Sequence, residues 1–104
     1  MRLMLALATL ALLTACAPAT LSAEDARAAM TARMERHAAT PVKVLEIHAL
    51  DLSECTKTAG TGTVTCRVRM DVSFDYGGVT ERDDDVDQIR FVREAGTWVA
   101  YPAD

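Results

Sequence analysis

The sequence predicts an α+β domain, one N-terminal helix packed on a four-stranded antiparallel sheet and stapled by one disulfide. Three observations carry that expectation. Small and apolar residues recur at helical spacing after Ser22. Residues 63–74 alternate apolar and polar without a break, and glycine-bearing turns divide the remainder into strand-length pieces.

The helix is expected to begin at Ser22, whose hydroxyl can cap free amides, with Glu24 and Asp25 complementing the positive end of the helix dipole. Ala26, Ala29, Met30, Met34 and Ala38 fall along one face, while Arg27, Glu35 and Arg36 point elsewhere. Thr40-Pro41 stops it, because the residue before proline disfavours helical angles. So many small residues suit close packing on a sheet. A helix lying on a membrane surface would carry larger apolar residues and a cationic face.

Residues 42–52, rich in leucine and β-branched side chains, read as the first strand, and Ala59-Gly60-Thr61-Gly62 as a turn. The second strand is the clearest. Val64, Cys66, Val68, Met70, Val72 and Phe74 share one face, and Thr65, Arg67, Arg69, Asp71, Ser73 and Asp75 the other, as in a half-buried antiparallel strand. Tyr76-Gly77-Gly78 turns the chain; residues 86–93 form a third strand, Glu94-Ala95-Gly96 a tight turn and residues 97–101 a fourth strand. Trp98 and Tyr101 are expected at the core and rim, and Met30, Met34 and Met70 as core filler.

The front of the chain has a different character. Arg2 precedes an uncharged Leu/Ala run over residues 3–13. Such a run makes a helix of roughly 16 Å, about half of a ~30 Å hydrocarbon core. That length suits a signal-peptide apolar region. Leu13-Thr14-Ala15-Cys16 closes it and resembles the lipobox of bacterial lipoproteins. The resemblance implies a signal peptide at residues 1–15, diacylglyceryl transfer to the Cys16 thiol, cleavage before Cys16 and acylation of the new amine. Two or three acyl chains anchor a protein stably. Ala17 is not the Asp that retains such proteins at the inner membrane, so the resemblance implies a periplasm-facing anchor in the outer membrane, with inner-membrane retention as the alternative. Residues 16–21 then form the lipidated Cys and a short tether, and residues 22–104 the domain. A five-residue tether spans at most roughly 18 Å, holding the domain close to its membrane.

Without the leader, 89 of the 104 residues remain, enough for one small core. The formal charge of −4 becomes about −5 once Arg2 is gone. An acidic domain without a basic patch argues against nucleic acid and against electrostatic docking on anionic lipid. Cys55 and Cys66 remain as an even pair in an oxidising compartment and are expected to form one disulfide. Because Cys66 lies on the apolar face, Cys55 must approach from the core side at the end of the first strand.

Arg90-Phe91-Val92-Arg93-Glu94-Ala95-Gly96-Thr97-Trp98-Val99 resembles the closing hairpin of cystatin-like and NTF2-like α+β domains. The resemblance covers most of residues 22–101 and bears on fold more than on activity.

Few residues suggest chemistry. Glu81, Asp83, Asp84, Asp85 and Asp87 are the densest charged patch. Asp83, Asp85 and Asp87 stand at alternate positions with Glu94 downstream, but a calcium loop needs glycine where Gln88 sits. A solvated turn and a guard against edge pairing are expected instead. His37 belongs to the last helical turn and His48 to a strand, with no partner visible in sequence. Ser53-Glu54 and Ser73 lack a nucleophile-elbow context, and no glycine pattern cradles phosphate. Arg67 and Arg69 share a polar strand face with Asp71 and Asp75, expected to be a solvated face with cross-strand pairs or else a face used by a protein partner. Catalytic residues, metal ligands and cofactors are therefore expected to be none.

The function these readings favour is a non-catalytic, lipid-anchored envelope protein that binds a protein partner or supports envelope structure. One alternative is a small-ligand or enzymatic NTF2-like domain, disfavoured because one helix of about 17 residues walls off little volume. Another is an inhibitor or immunity-type lipoprotein, by fold analogy alone. Cys16→Ser is expected to leave an unprocessed, unlipidated precursor; labelling with a palmitate analogue checks this, and normal labelling refutes the anchor.

Overall fold

The computed structural model describes residues 20–37 and 39–103. The leader, Cys16 and the tether up to residue 19 lie outside the described residues, as does Ala38. Helix α1 (Ala23–His37) is followed by β1 (Val42–Thr58), β2 (Thr63–Tyr76), β3 (Val79–Glu94) and β4 (Thr97–Pro102), which form one antiparallel sheet in the order β1-β2-β3-β4. Among the described residues the architecture is the expected α+β one, one helix on a four-stranded antiparallel sheet. No helix among the described residues is long and apolar enough to cross a membrane.

Ser22 caps the helix reciprocally. The Asp25 N–H donates to Ser22 Oγ at 3.0 Å and the Ser22 N–H to Asp25 Oδ2 at 3.1 Å, satisfying two otherwise orphaned donors. Of the expected stripe, Ala26, Ala29 and Met30 are buried and Met34 is half-buried. The small side chains let α1 approach closely, against a core of Val64, Cys66, Val68, Ile89, Phe91, Trp98 and Ala100. This core sits over the first half of β2, the second half of β3, and β4. Asp25 and Ala28 lie beside Gly96 and Trp98 at the β3–β4 turn, whereas Glu35 reaches the start of β1, its Oε2 accepting the Val44 N–H at 2.9 Å. The helix therefore crosses the sheet obliquely and leaves residues 79–88 of β3 exposed.

The alternation of β2 is realised as read: Val64, Cys66, Val68 and Val72 are buried on the helix face. β1 differs from expectation in length and regularity. It runs to Thr58, and its register with β2 slips between Val44 and Glu46, between Ile47 and Ala49, and between Ser53 and Thr56. Each slip is a β-bulge, one extra residue against one on the partner. The bulges explain a spacing that has no clean period in sequence: Val44, Ile47, Leu50 and Leu52 all register with helix-face residues of β2, namely Phe74, Val72, Met70 and Val68.

The third bulge holds Glu54 at φ 50° and places Cys55 against Cys66, with the two joined by the expected disulfide and their Cα atoms 4.1 Å apart. A non-glycine residue at positive φ costs on the order of 1–3 kcal/mol, sustained here by the cross-link beside it. Cys55 thus belongs to β1 rather than to a connection after it.

β3 also corrects the sequence reading. It begins at Val79, seven residues before the expected start at Val86, so Glu81 to Asp85 are strand residues and not a turn. The turn decides this. Gly77 and Gly78 have φ of 60° and 90°, the two-residue hairpin that forces Val79 to pair with Tyr76, and Asp75 Oδ1 accepts the Gly78 N–H at 2.9 Å. A Cβ at Gly77 would meet the Thr40 methyl at 3.4 Å. The β3–β4 turn, Ala95-Gly96 at φ 53° and 82°, has the same form.

The disulfide closes a short loop, and its loss is expected to cost about 3 kcal/mol. Urea unfolding with and without reductant, for the parent and for Cys55→Ser, checks this; identical midpoints would count against any stabilising role.

Candidate functional site

Two surfaces gather the charged and polar residues singled out in the sequence. The first is the sheet face away from the helix. The Arg82 guanidinium grips Asp71 bidentately, Nε to Oδ1 at 2.9 Å and Nη2 to Oδ2 at 2.8 Å, and Asp71 is 8 % exposed. Arg69 spans three strands, donating to Asp84 Oδ2 at 2.8 Å and to Asp51 Oδ2 at 3.3 Å. The expected cross-strand pairing of Arg69 and Asp71 is present, although neither pairs with the other. The Arg82 guanidinium, aided by His48 and Arg69, holds the Asp71 carboxyl below its ordinary pKa, while Asp84 and Asp51 raise that of Arg69. At the rim, Tyr101 donates to Glu94 Oε2 at 2.7 Å, which raises the phenol pKa.

His48 finds a partner that sequence could not show. It is the extra residue of the second bulge, which swings its ring toward β2, and its Nε2 lies 2.6 Å from Ser73 Oγ. Its Nδ1 is 3.6 Å from Glu46 Oε2. Carboxylate, imidazole and hydroxyl follow the contact order of a nucleophilic triad. Acyl transfer needs more than that order: donors aimed at the developing oxyanion and a groove that holds the substrate. Ser73 lies within an interior strand whose amides serve the ladders to β1 and β3, so its backbone offers no such donors. At 3.6 Å the Glu46 contact also exceeds hydrogen-bond range. The trio therefore acts as a polar clasp over a bulge.

The second surface is the edge of β3. β4 pairs only with residues 89–94, and the ladder ends where the Ala103 N–H donates to the Gln88 carbonyl at 3.2 Å. Backbone groups alternate sides along a strand, so Val86, Asp84, Arg82 and Thr80 also direct their N–H and C=O groups outward, with no strand beside them among the described residues. No register slip interrupts this stretch against β2. Only Val86 has its outward N–H occupied, by the neighbouring Asp85 Oδ1 at 2.9 Å.

The side chains of this edge are sorted by face. Glu81, Asp83, Asp85 and Asp87 register with Phe74, Val72, Met70 and Val68 and so stand on the helix face beside an apolar wall. A cleft of about 180 Å³ lies there, between Met30, Arg33 and Met34 of the helix and Asp83, Asp85 and Asp87 of β3. Beyond it, where β4 stops at Pro102, a notch of about 680 Å³ is bounded by Arg33, Arg67, Val86 and Asp87. Among the described residues no three acidic, His or Cys side chains converge to hold a metal ion. The row is a ladder of separate negative charges.

Elsewhere, Trp98 is buried as expected, Arg93 stacks on its ring at 5.7 Å, and its Nε1 has no hydrogen-bond partner among the described residues. Comparison of this chain with protein-family models, curated proteins and solved structures finds no match. The signal that would have located the open edge in sequence is the two-residue Gly77-Gly78 turn, because a hairpin that tight makes everything after it strand.

Asp71 titrates below its unfolded value, so its ion pair adds stability above about pH 4 that disappears as pH falls through the lowered native value. Asp71→Asn is expected to be less stable at neutral pH and to lose less on acidification. Urea midpoints from pH 7 down to about pH 2.5 check this, and parallel curves would show that the pair contributes nothing.

Proposed function

We propose that this chain is a lipid-anchored bacterial envelope protein without catalytic activity, acting by binding another macromolecule through the uncovered part of its sheet. The observation that carries this reading is the mismatch between the sheet and its cover. One helix of 15 residues runs from the β3–β4 turn to the start of β1 and leaves residues 79–88 of β3 exposed. Leu45, Tyr76, Val79 and Val86 are exposed there or along the flanking strands, with Val79 at 59 %. Surfaces of this kind suit a partner better than a small molecule, which calls for a concavity closed on several sides.

The fold reads as a reduced cystatin-like or NTF2-like layout, supported by the helix-first order and the closing β3–β4 hairpin. The anchor reading rests on Leu13-Thr14-Ala15-Cys16. It fits the placement of Ser22: the helix start lies beside the β3–β4 turn, so that end of the sheet faces the membrane. β2, with 14 residues, then carries the Gly77-Gly78 turn about 45 Å outward. The tether keeps one end at the bilayer while the long hairpin reaches into the periplasm.

Photo-crosslinking in living cells tests the reading. A crosslinking residue placed at Leu45, Tyr76, Val79 or Val86 is expected to give discrete adducts with an envelope protein. A chain that gives none from any of these positions is not a binding module of this kind.

A further inference from the structure

Resting on that reading, we infer that the open edge of β3, from Thr80 to Val86, is a strand-addition site for an extended, basic segment of a protein partner with cationic side chains at alternate positions. The site itself is the backbone. The outward N–H and C=O groups of Thr80, Arg82, Asp84 and Val86 continue the row that β4 occupies farther along, without a bulge in between. Main-chain hydrogen bonds to such an edge supply affinity, and alternate side chains supply specificity.

The other edge of the sheet shows what protection looks like. β1 is broken by three bulges, and its Val44 N–H is taken by Glu35 of the helix. β3 has no bulge over this stretch, and of its four outward amides only that of Val86 is taken by a side chain among the described residues.

Charge selects the occupant. Glu81, Asp83, Asp85 and Asp87 all stand on the helix face of the edge, and among the described residues none has a cationic partner. On the opposite face Arg82 and Asp84 are already engaged with Asp71 and Arg69. An added strand therefore meets unneutralised negative charge at every second residue, on one side only. Lysine or arginine at those positions would direct its head to the carboxylates while its aliphatic stem crosses Met30 and Met34 in the cleft. Arg33 lines the same cleft and leaves the row still net acidic. A second copy of β3 would set carboxylates against carboxylates, which is destabilising. Residues 1–19 of this chain carry a single charge, Arg2, and offer no complement.

The probe is the peptide Lys-Thr-Lys-Val-Lys-Thr-Lys, added to the full protein purified from cells in nonionic detergent. Saturable binding is expected, with the amides of Arg82, Asp84 and Val86 gaining protection from hydrogen exchange. The same peptide N-methylated on its Thr and Val residues keeps its charge but loses its donors, and is expected to bind at least about tenfold more weakly. Thr80→Pro removes an outward amide that β2 does not use, a substitution an edge strand tolerates, and is expected to weaken binding about fivefold. Equal binding of the two peptides would reduce the effect to diffuse charge attraction and overturn the inference. So would self-association through β3 that the peptide does not displace. In cells, loss of the Val79 adduct on Thr80→Pro supports the edge; an unchanged adduct overturns the edge while leaving the binding reading intact.

Discussion

β2 is the reference against which every other element is placed. Its helix face carries six apolar side chains in strict alternation, and a one-residue slip would turn all of them toward water. Neighbouring strands must therefore adapt to it. β1 does so by inserting three extra residues, because its own apolar residues are spaced two or three apart and could not otherwise reach one face. β3 needs no insertion, because its two-residue turn starts it in register at Val79 and two large helix-face side chains, Ile89 and Phe91, complete the core. The disulfide fastens the last bulge to the middle of this frame, where Cys66 is fully buried.

The bulges also explain where the polar residues go. An inserted residue changes the direction in which its side chain leaves the strand. His48 is brought onto Ser73 in this way, beside the Arg82–Asp71 pair and the Arg69 bridge. The outer face thus becomes a set of cross-strand clasps, each tying residues distant in the chain. Exposed ion pairs stabilise little one at a time. Their effect here is on register, since Arg69 reaches Asp51 and Asp84 together only when three strands are correctly aligned.

The two edges of the sheet are treated differently, and this difference shapes the functional reading. β1 is irregular and partly capped by the helix, whereas β3 stays regular past the end of β4, and its guard is charge alone. Carboxylates discourage pairing with a neutral strand or with another copy. They do not discourage a basic one. The same carboxylates therefore set the charge of a strand that can join the edge, and the proposed anchor would carry that edge away from the membrane.

Much of the architecture was legible beforehand. The alternation of residues 63–74, the Ser22 cap, the small-residue stripe and the pairing of Cys55 with Cys66 are local patterns whose physics acts over a few residues. The chain by itself thus determined the helix, the central strand and the cross-link. Tertiary structure decided the rest. The bulges of β1 follow from matching one strand to another, and no periodicity within residues 42–58 reveals them. The strand character of residues 79–85 was hidden by composition, since a run of acids looks like a turn until Gly77-Gly78 fixes the pairing of Val79. The contact of His48 with Ser73, 25 residues away, and the open edge beyond Pro102 exist only because strands of unequal length lie side by side. Local sequence sets which face a residue prefers; only the assembled sheet sets which neighbours that face will have.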